Sequence, residues 1–251
     1  MKTFIGTILL GLMLLGCGSD EPSTRQPADG PHESMAADEK LYTEAASKLV
    51  SQFGQSLQST LLNALNENGT AYAVRVCQIR AQELVAAHST DTWSVKRVSD
   101  RWRNINDRPD TVGLAILKEF ADPKTADDYL INWTGSDSAR EFHYYKKIVM
   151  KPMCLQCHGD LQTVDLDLWK EIRIAYPYDK ATGYKEGELR GMFVVTAKWP
   201  EGRDLAEALA AGADITTLNA VDSTAGDSAT VDSTATEPAG DSDTSEESYE
   251  G

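Results

Sequence analysis

Cysteine and histidine are scarce in this chain: its 251 residues include four of each. That scarcity excludes a good deal. No second C-x-x-C pair accompanies Cys154 and Cys157, so a structural zinc site, which needs a second ligand pair, is not written here. Basic residues are also few, with 24 Lys and Arg against 39 Asp and Glu and a formal net charge of −15. A balance of that sign argues against a nucleic-acid partner. No glycine-rich phosphate loop and no nucleophile elbow occur, which removes two widespread signatures of nucleotide and acyl-transfer chemistry. The apolar run from Phe4 to Leu15 is too short to read as a spanning helix.

The most informative stretch is Cys154-Leu155-Gln156-Cys157-His158. It spells C-x-x-C-H, the attachment pattern of a c-type haem. The two thiols add across the two haem vinyl groups, and the two-residue gap matches the vinyl spacing. The following imidazole is then placed beneath the iron as an axial ligand. A thioredoxin-like redox pair fits less well, because Pro152-Met153 stands where an aromatic or small residue belongs before the first Cys. One covalent haem c per chain is the expectation, with Cys154 and Cys157 as its anchors and His158 on the iron.

The amino terminus agrees with that chemistry. Met1-Lys2-Thr3, the apolar run and then Leu14-Leu15-Gly16-Cys17 describe an export signal. The last four residues resemble the lipobox of bacterial lipoproteins. The resemblance implies cleavage after residue 16, lipid on Cys17 and a stable multi-chain anchor in a bacterial membrane. Residues 1–16 therefore read as signal peptide and 17–36, rich in Ser, Pro, Asp and Gly, as a flexible tether. The expected location is extracytoplasmic, on the periplasmic side or at the outer membrane, with Gly18 favouring the latter. Haem is attached covalently outside the cytoplasmic membrane, so address and motif agree.

With one cysteine given to lipid and two to haem, Cys77 is left over. A lone thiol in an oxidising compartment is a liability unless it is buried or occupied. Residue chemistry leaves two readings open: a small apolar core residue, or a thiolate on the sixth position of the iron.

The rest of the chain divides readily. Over residues 37–66, Leu41, Ala45, Leu49, Phe53, Leu57, Leu61 and Leu65 recur every four residues, which predicts a long amphipathic helix. Asn68-Gly69 stops it, and a second helix covers residues 70–87, with Cys77 on or beside its apolar stripe. Residues 93–99 alternate like a strand, 101–110 form an Arg- and Asn-rich loop, and 111–121 form a third helix. Short strands at 129–133 and 141–145 flank Gly135. Residues 163–175 are weakly helical, 176–187 are turn-rich, and 189–199 make the best strand. Helices interleaved with short strands predict an α+β domain over residues 37–205. Residues 206–251 read as a disordered acidic tail, because nine acidic residues and no Lys or Arg follow from Asp222.

At this point four ordered stretches resemble a family: exported single-haem domains with a PAS-like fold, long known as a domain of unknown function. They are Val76-Cys77-Gln78; Arg97-x-Ser99 with Arg103-Asn104 and Pro109-Asp110; Cys154 to Gly159; and Tyr176-Pro177-x-Asp179-x-Ala181-x-Gly183-Tyr184-x-x-Gly187-x-x-Arg190-Gly191. The resemblance spans about residues 37–199. It implies a PAS-like antiparallel sheet flanked by helices with a long N-terminal helix. It also implies an unusual cysteine as the second axial ligand, which maps onto Cys77. Two departures fall in one loop: Ile105 stands where the family writes Pro, and Asp107 where it writes Asn.

Rival ligands and supporting residues complete the expectation. His143, on a strand-like stretch, is the strongest competitor for the sixth position. His88 belongs at a helix end against terminal carbonyls, and His32 lies in the tether. Met150, Met153 and Met192 read as packing. Arg97 and Arg103, and less so Arg101 and Arg190, suit bidentate contact with haem propionates. Gly183, Gly187 and Gly191 read as turn glycines. The function expected is a lipid-anchored c-type haem protein with His158/Cys77 ligation in redox or small-ligand sensing, the alternative being a membrane-tethered electron-transfer cytochrome. A haem enzyme ranks below both, since a filled sixth position leaves no open site. A redox or signalling protein is the expected partner, with the long N-terminal helix a candidate homodimer surface.

Overall fold

The computed structural model describes residues 31–225 apart from residue 137, with side chains of residues 31–34 and 221–225 outside the description. Cys17 and the tail beyond residue 225 lie outside the described residues. The chain divides into a short unit, residues 1–38, and a main unit, residues 39–251. The described part of the short unit is the helical opening of α1, Pro31–Ala87.

Helix α1 is interrupted where the sequence says it should be. Asn68 (φ −144°, ψ 20°) and Gly69 (φ 76°, ψ −167°) leave helical geometry and divide it into two arms. The positive φ at Gly69 costs a residue without a Cβ nothing. On the first arm the every-four pattern becomes a buried stripe: Ala45, Leu49 and Phe53, joined by Tyr42, are at most 1% exposed.

The sheet contains β1 (Trp93–Val98), β2 (Tyr129–Ser136), β3 (Ala139–Val149) and β4 (Leu189–Trp199), in the order β1-β4-β3-β2. Every pairing is antiparallel. The two hairpin strands run further than the five residues expected of each: Thr134↔Glu141, Gly135↔Arg140 and Ser136↔Ala139 carry the ladder to the turn, and pairing with β4 carries β3 on to Val149. One face, with Trp93, Val95, Phe142, Tyr144, Val195 and Ala197, packs against the first arm of α1. The opposite face, with Val98, Tyr145, Met192 and Val194, receives Leu117 and Phe120 of α2, Thr111–Ala121. The α+β class with helices flanking an antiparallel sheet is thus the observed architecture.

Two short helices follow the sheet's long hairpin: α3 (Leu155–His158) and α4 (Leu166–Ala175). The folded region does not end at residue 205. Helices α5 (Arg203–Ala210) and α6 (Ile215–Ala225) continue it. Ala206, Leu209 and Ile215 are fully buried in the main core, and Gln52 accepts from Ile215 N–H at 3.1 Å while donating to Ala213 O at 2.7 Å. The expected boundary at 205 is therefore corrected: three apolar positions in a polar, Ala-rich stretch are enough to dock it. Among the described residues no helix is long and apolar enough to cross a membrane.

Candidate functional site

The candidate site opens where the sheet's regular pairing stops. The β3–β4 register shifts between Ile148 and Val149, a bulge of the kind that bends a strand and ends its pairing. Met150 is buried just beyond, held by Met150 N–H to Glu188 O at 2.9 Å and Gly187 N–H to Met150 O at 3.0 Å. The chain then makes a turn of 3-10 helix, Pro152–Cys154, and enters α3. Cys154 closes the 3-10 turn, and Cys157 and His158 lie on the single turn of α3.

Together these segments wall a cleft of about 270 Å³. Cys154, Cys157 and His158 line one side, Cys77 from the second arm of α1 another, and Arg97 and Arg103 complete the rim. The six residues expected to hold a cofactor are therefore brought to one cavity. Leu61, Leu65, Ala73, Val74 and Met153 give it apolar walls.

His158 is held in one tautomer. Its Nδ1–H donates to Ala181 O at 2.7 Å, which leaves the Nε2 lone pair available. Burial pushes its pKa well down, reinforced by Arg103 and Arg190 and opposed by the Ala181 carbonyl. The loop carrying Ala181 is itself tied to α3: Tyr184 N–H donates to His158 O at 3.0 Å and Gly183 N–H to Gly159 O at 2.7 Å. Gly159 cannot be replaced without movement, since a Cβ there would lie 2.5 Å from Leu155 O.

Arg103 does something other than wait for an anion. Its Nη2 donates to Cys157 O at 2.6 Å, to Asp179 Oδ2 at 3.2 Å and to Ala181 O at 3.3 Å. Asp179 in turn accepts from Ala181 N–H at 2.8 Å. Arg103 thus clasps the haem-motif helix to the loop that orients His158. Its Nε is buried with no hydrogen-bond partner among the described residues. Arg97 is freer, with Asp107 at 3.8 Å. Burial pushes the Asp107 carboxyl up, against the pull of Arg97 and Arg190. The loop holding the two departures is a short 3-10 turn, Ile105–Asp107, capped by Asn104, whose Oδ1 accepts from Asn106 N–H at 3.0 Å.

The family model of the Tll0287-like proteins matches residues 30–197, about two thirds of the chain. This chain belongs to the Tll0287-like family. A solved structure titled as the crystal structure of the cyanobacterial heme-protein Tll0287 is 26% identical, with a TM-score of 0.45, over 67% of this chain and 96% of that one. No curated protein matches the chain.

In this Tll0287-like chain the rival ligands are dispersed. His143 lies on β3 and shares a hydrogen bond with Thr134 Oγ1 at 3.0 Å, outside the cleft's lining. His88, fully buried at the end of α1, donates from Nδ1 to Leu84 O at 2.8 Å, as a helix-end histidine should. Met150 and Met153 line the cleft, while Met192 is buried against the α2 side. Arg101 stacks 3.6 Å over the Tyr184 ring and donates to Thr182 O, so it serves the loop. Gly183, Gly187 and Gly191 all have positive φ.

Three cleft residues escaped the reading as site groups: Tyr176, Asp107 and Ser99. Ser99 donates to Arg190 O at 2.8 Å and accepts from Arg101 N–H at 3.1 Å. Tyr176 is pushed up to about 12 by burial first and by Cys77 next. Burial also pushes the Cys77 thiol up, while Arg97 pulls it down. Tyr176 stands in one of the quoted family stretches, which was the signal that could have found it. Among the described residues no group of three His, Cys, Asp or Glu side chains could hold a bare metal ion.

Proposed function

We propose that this Tll0287-like protein holds one covalent c-type haem in the cleft and acts in redox or small-ligand sensing at the outer face of a bacterial membrane. The observation that carries the reading is convergence: the C-x-x-C-H residues and Cys77, 77 positions apart at their nearest members, line the same cavity. The donor set suits the group. Two thiols face a cleft beside an imidazole whose Nε2 is free, and the walls are largely apolar. Cys154 and Cys157 would form the thioethers, His158 and Cys77 the axial ligands, and Arg97 would face a propionate. The resemblance to PAS-like domains fits the antiparallel sheet with a ligand held between sheet edge and helices.

When bound, the haem supplies one-electron chemistry at iron. The chain's own residues set the conditions. Ala181 fixes the imidazole tautomer, Arg103 holds the two backbone segments that define the His158 side, and Arg97 offsets negative charge at Cys77. A Cys77 thiolate on the iron would lower its potential and would be open to oxidation or displacement. The lipid anchor at Cys17 and an unidentified redox or signalling partner belong to the same proposal.

The test begins with the full chain matured in an exporting bacterial host. Haem should remain on the polypeptide after denaturation, and the ferric spectrum should be low-spin with thiolate character. Cys77→Ser should abolish that character with haem still attached. A variant spectrum identical to the original would sink the ligand assignment, and loss of haem on denaturation would sink the covalent one. Carbon monoxide separates the two roles: binding to the reduced protein supports sensing, and indifference supports electron transfer. Fatty-acid labelling that disappears in Cys17→Ser checks the anchor.

A further inference from the structure

The His158 imidazole meets a second ring as well as the Ala181 carbonyl. The Tyr184 ring stands across it at 85°, with centroids 6.3 Å apart. That is the perpendicular arrangement in which aromatic rings attract, over roughly 4.5–7 Å. The hydrogen bond from Nδ1 to Ala181 O settles the tautomer, but it holds the imidazole at one point only. The ring can still rock about the Nδ1···O line, and Nε2, lying off that line, swings with it. A second contact is needed to hold the plane, and Tyr184 makes it.

Tyr184 is itself held on every side. Its side chain is buried, in a cluster with Met150 and Ala181 against which Cys154 and Leu155 pack. Its N–H donates to His158 O at 3.0 Å, and its hydroxyl donates to Arg190 O at 3.5 Å. One face of the ring carries the Arg101 guanidinium, 3.6 Å from the centroid, and a cation held over a ring face is attracted to it. Arg101 is anchored in turn: it donates to Thr182 O from its side chain and to Ser99 Oγ at 3.1 Å from its N–H. Its carbonyl accepts from Arg190 Nη1 at 3.3 Å, and Glu188 lies 3.8 Å from its Nη1. The stack therefore runs from a surface ion pair, through Arg101 and Tyr184, to the imidazole.

We propose that Tyr184, held by Arg101, is a positioning residue that fixes the plane of the His158 imidazole and so the direction in which Nε2 faces the iron. The inference rests on the reading of His158 as an axial ligand. Partners beyond the ligands themselves orient a metal-binding histidine. Here that work is divided: Ala181 fixes which nitrogen faces the cleft, and Tyr184 fixes the angle at which it does so.

The experiment uses the full-length haem-loaded protein in its ferric state. The pattern of haem methyl resonances in proton NMR follows the direction of the imidazole plane on the iron. Tyr184→Leu, which keeps an apolar side chain but no ring, should change that pattern. It should also raise the solvent exchange rate of the His158 Nδ1 proton by about two- to tenfold, the range for one perpendicular aromatic pair. Tyr184→Phe keeps the ring and should reproduce the unaltered protein in both readings. Arg101→Ala, at a partly exposed position, leaves the ring in place with one face open and should move both readings in the same direction by less. Tyr184→Leu with both readings unchanged overturns the assignment, as does Arg101→Ala with both unchanged where Tyr184→Leu fails to load haem. Tyr184→Phe altered as much as Tyr184→Leu also overturns it, since the effect would then belong to the hydroxyl. His158→Ala, with haem still held by its thioethers, separates the inference from its premise. A methyl pattern indifferent to His158→Ala overturns the His158 reading and this inference together, whereas one that answers to His158→Ala but not to Tyr184→Leu overturns the Tyr184 assignment alone.

Discussion

Replacing Arg103 by Gln should damage the protein far more than removing a rim charge would. Arg103 has a side chain 12% exposed, and its partner Asp179 is fully buried. Removing the guanidinium leaves the Asp179 carboxylate with the Ala181 N–H at 2.8 Å as its remaining hydrogen bond among the described residues, and takes away its counter-charge. Stranding one member of a buried pair typically costs about 3–5 kcal/mol. Against a total folding stability of about 5–15 kcal/mol this is a large fraction. The loss also frees Cys157 O and Ala181 O, so the loop that orients His158 loses its tie to α3. Equilibrium urea denaturation, followed by tryptophan fluorescence on the haem-loaded chain, measures the cost. Adding Asp179→Asn removes the stranded charge, so the double variant should recover about 1–3 kcal/mol relative to additivity. An Arg103→Gln cost below about 1 kcal/mol, or strict additivity in the double variant, would refute the clasp. In that case Arg103 would be left free to serve as the propionate partner the sequence suggests.

Two further outcomes concern the segment that lay beyond the expected boundary. A chain stopped after residue 205 loses the fully buried Ala206, Leu209 and Ile215, so it should unfold at markedly lower urea than one stopped after residue 225; equal midpoints would show that α5 and α6 contribute nothing. Asp214 caps α6, accepting from Thr216 N–H at 2.8 Å and Thr216 Oγ1–H at 2.6 Å, and these bonds hold its carboxyl below the usual 3.8. A carboxyl whose folded pKa is depressed stabilises above its unfolded value and loses that contribution as pH falls through the folded one. Asp214→Ala should therefore cost about 1 kcal/mol at neutral pH. The difference should fade in acid below the carboxylate range, as urea midpoints at the two pH values will read out.

How much of this was legible in the sequence depended on whether the relevant signal was local. Helix α2 and strand β4 begin and end where their patterns do, because the apolar pattern of 111–121 and the apolar run through Val194-Val195-Thr196 are readable in place. The break in α1 was likewise written in Asn68-Gly69. Arg103 was read as an anion donor because its residue type suits one. Its actual acceptors are the Asp179 carboxylate and the carbonyls of Cys157 and Ala181, 54 and 78 positions away, and a main-chain oxygen has no signature in sequence. Tyr176 escaped for a related reason: it joins Cys77 in lining the cleft through the docking of α4 on the second arm of α1, which the Gln78–Ala175 hydrogen bond makes across 97 residues. The terminal helices were missed because composition outweighed pattern; Ala206 and Leu209 keep a three-residue spacing that an acidic, Ala-rich stretch conceals.

The cleft owes its form to two departures from regular structure, and they make its walls unequal. A straight helix of 57 residues would reach about 85 Å at 1.5 Å per residue, far past the sheet it packs on. The break at Asn68-Gly69 releases the second arm from the first arm's direction, and its Ala73, Val74 and Cys77 form a wall of the cleft. The bulge at Ile148/Val149 ends the β3–β4 ladder and releases the chain into the C-x-x-C-H helix, which forms the other. The His158 wall is then pinned by Ala181, Gly183, Tyr184 and Arg103. The Cys77 wall is fastened mainly at exposed positions, Arg75–Glu171 and Gln78–Ala175, around one small apolar cluster. Exposed polar fastenings are weak beside buried ones. Were Cys77 and His158 the ligands of a haem held between these walls, as proposed above, the more weakly fastened of the two would be the cysteine.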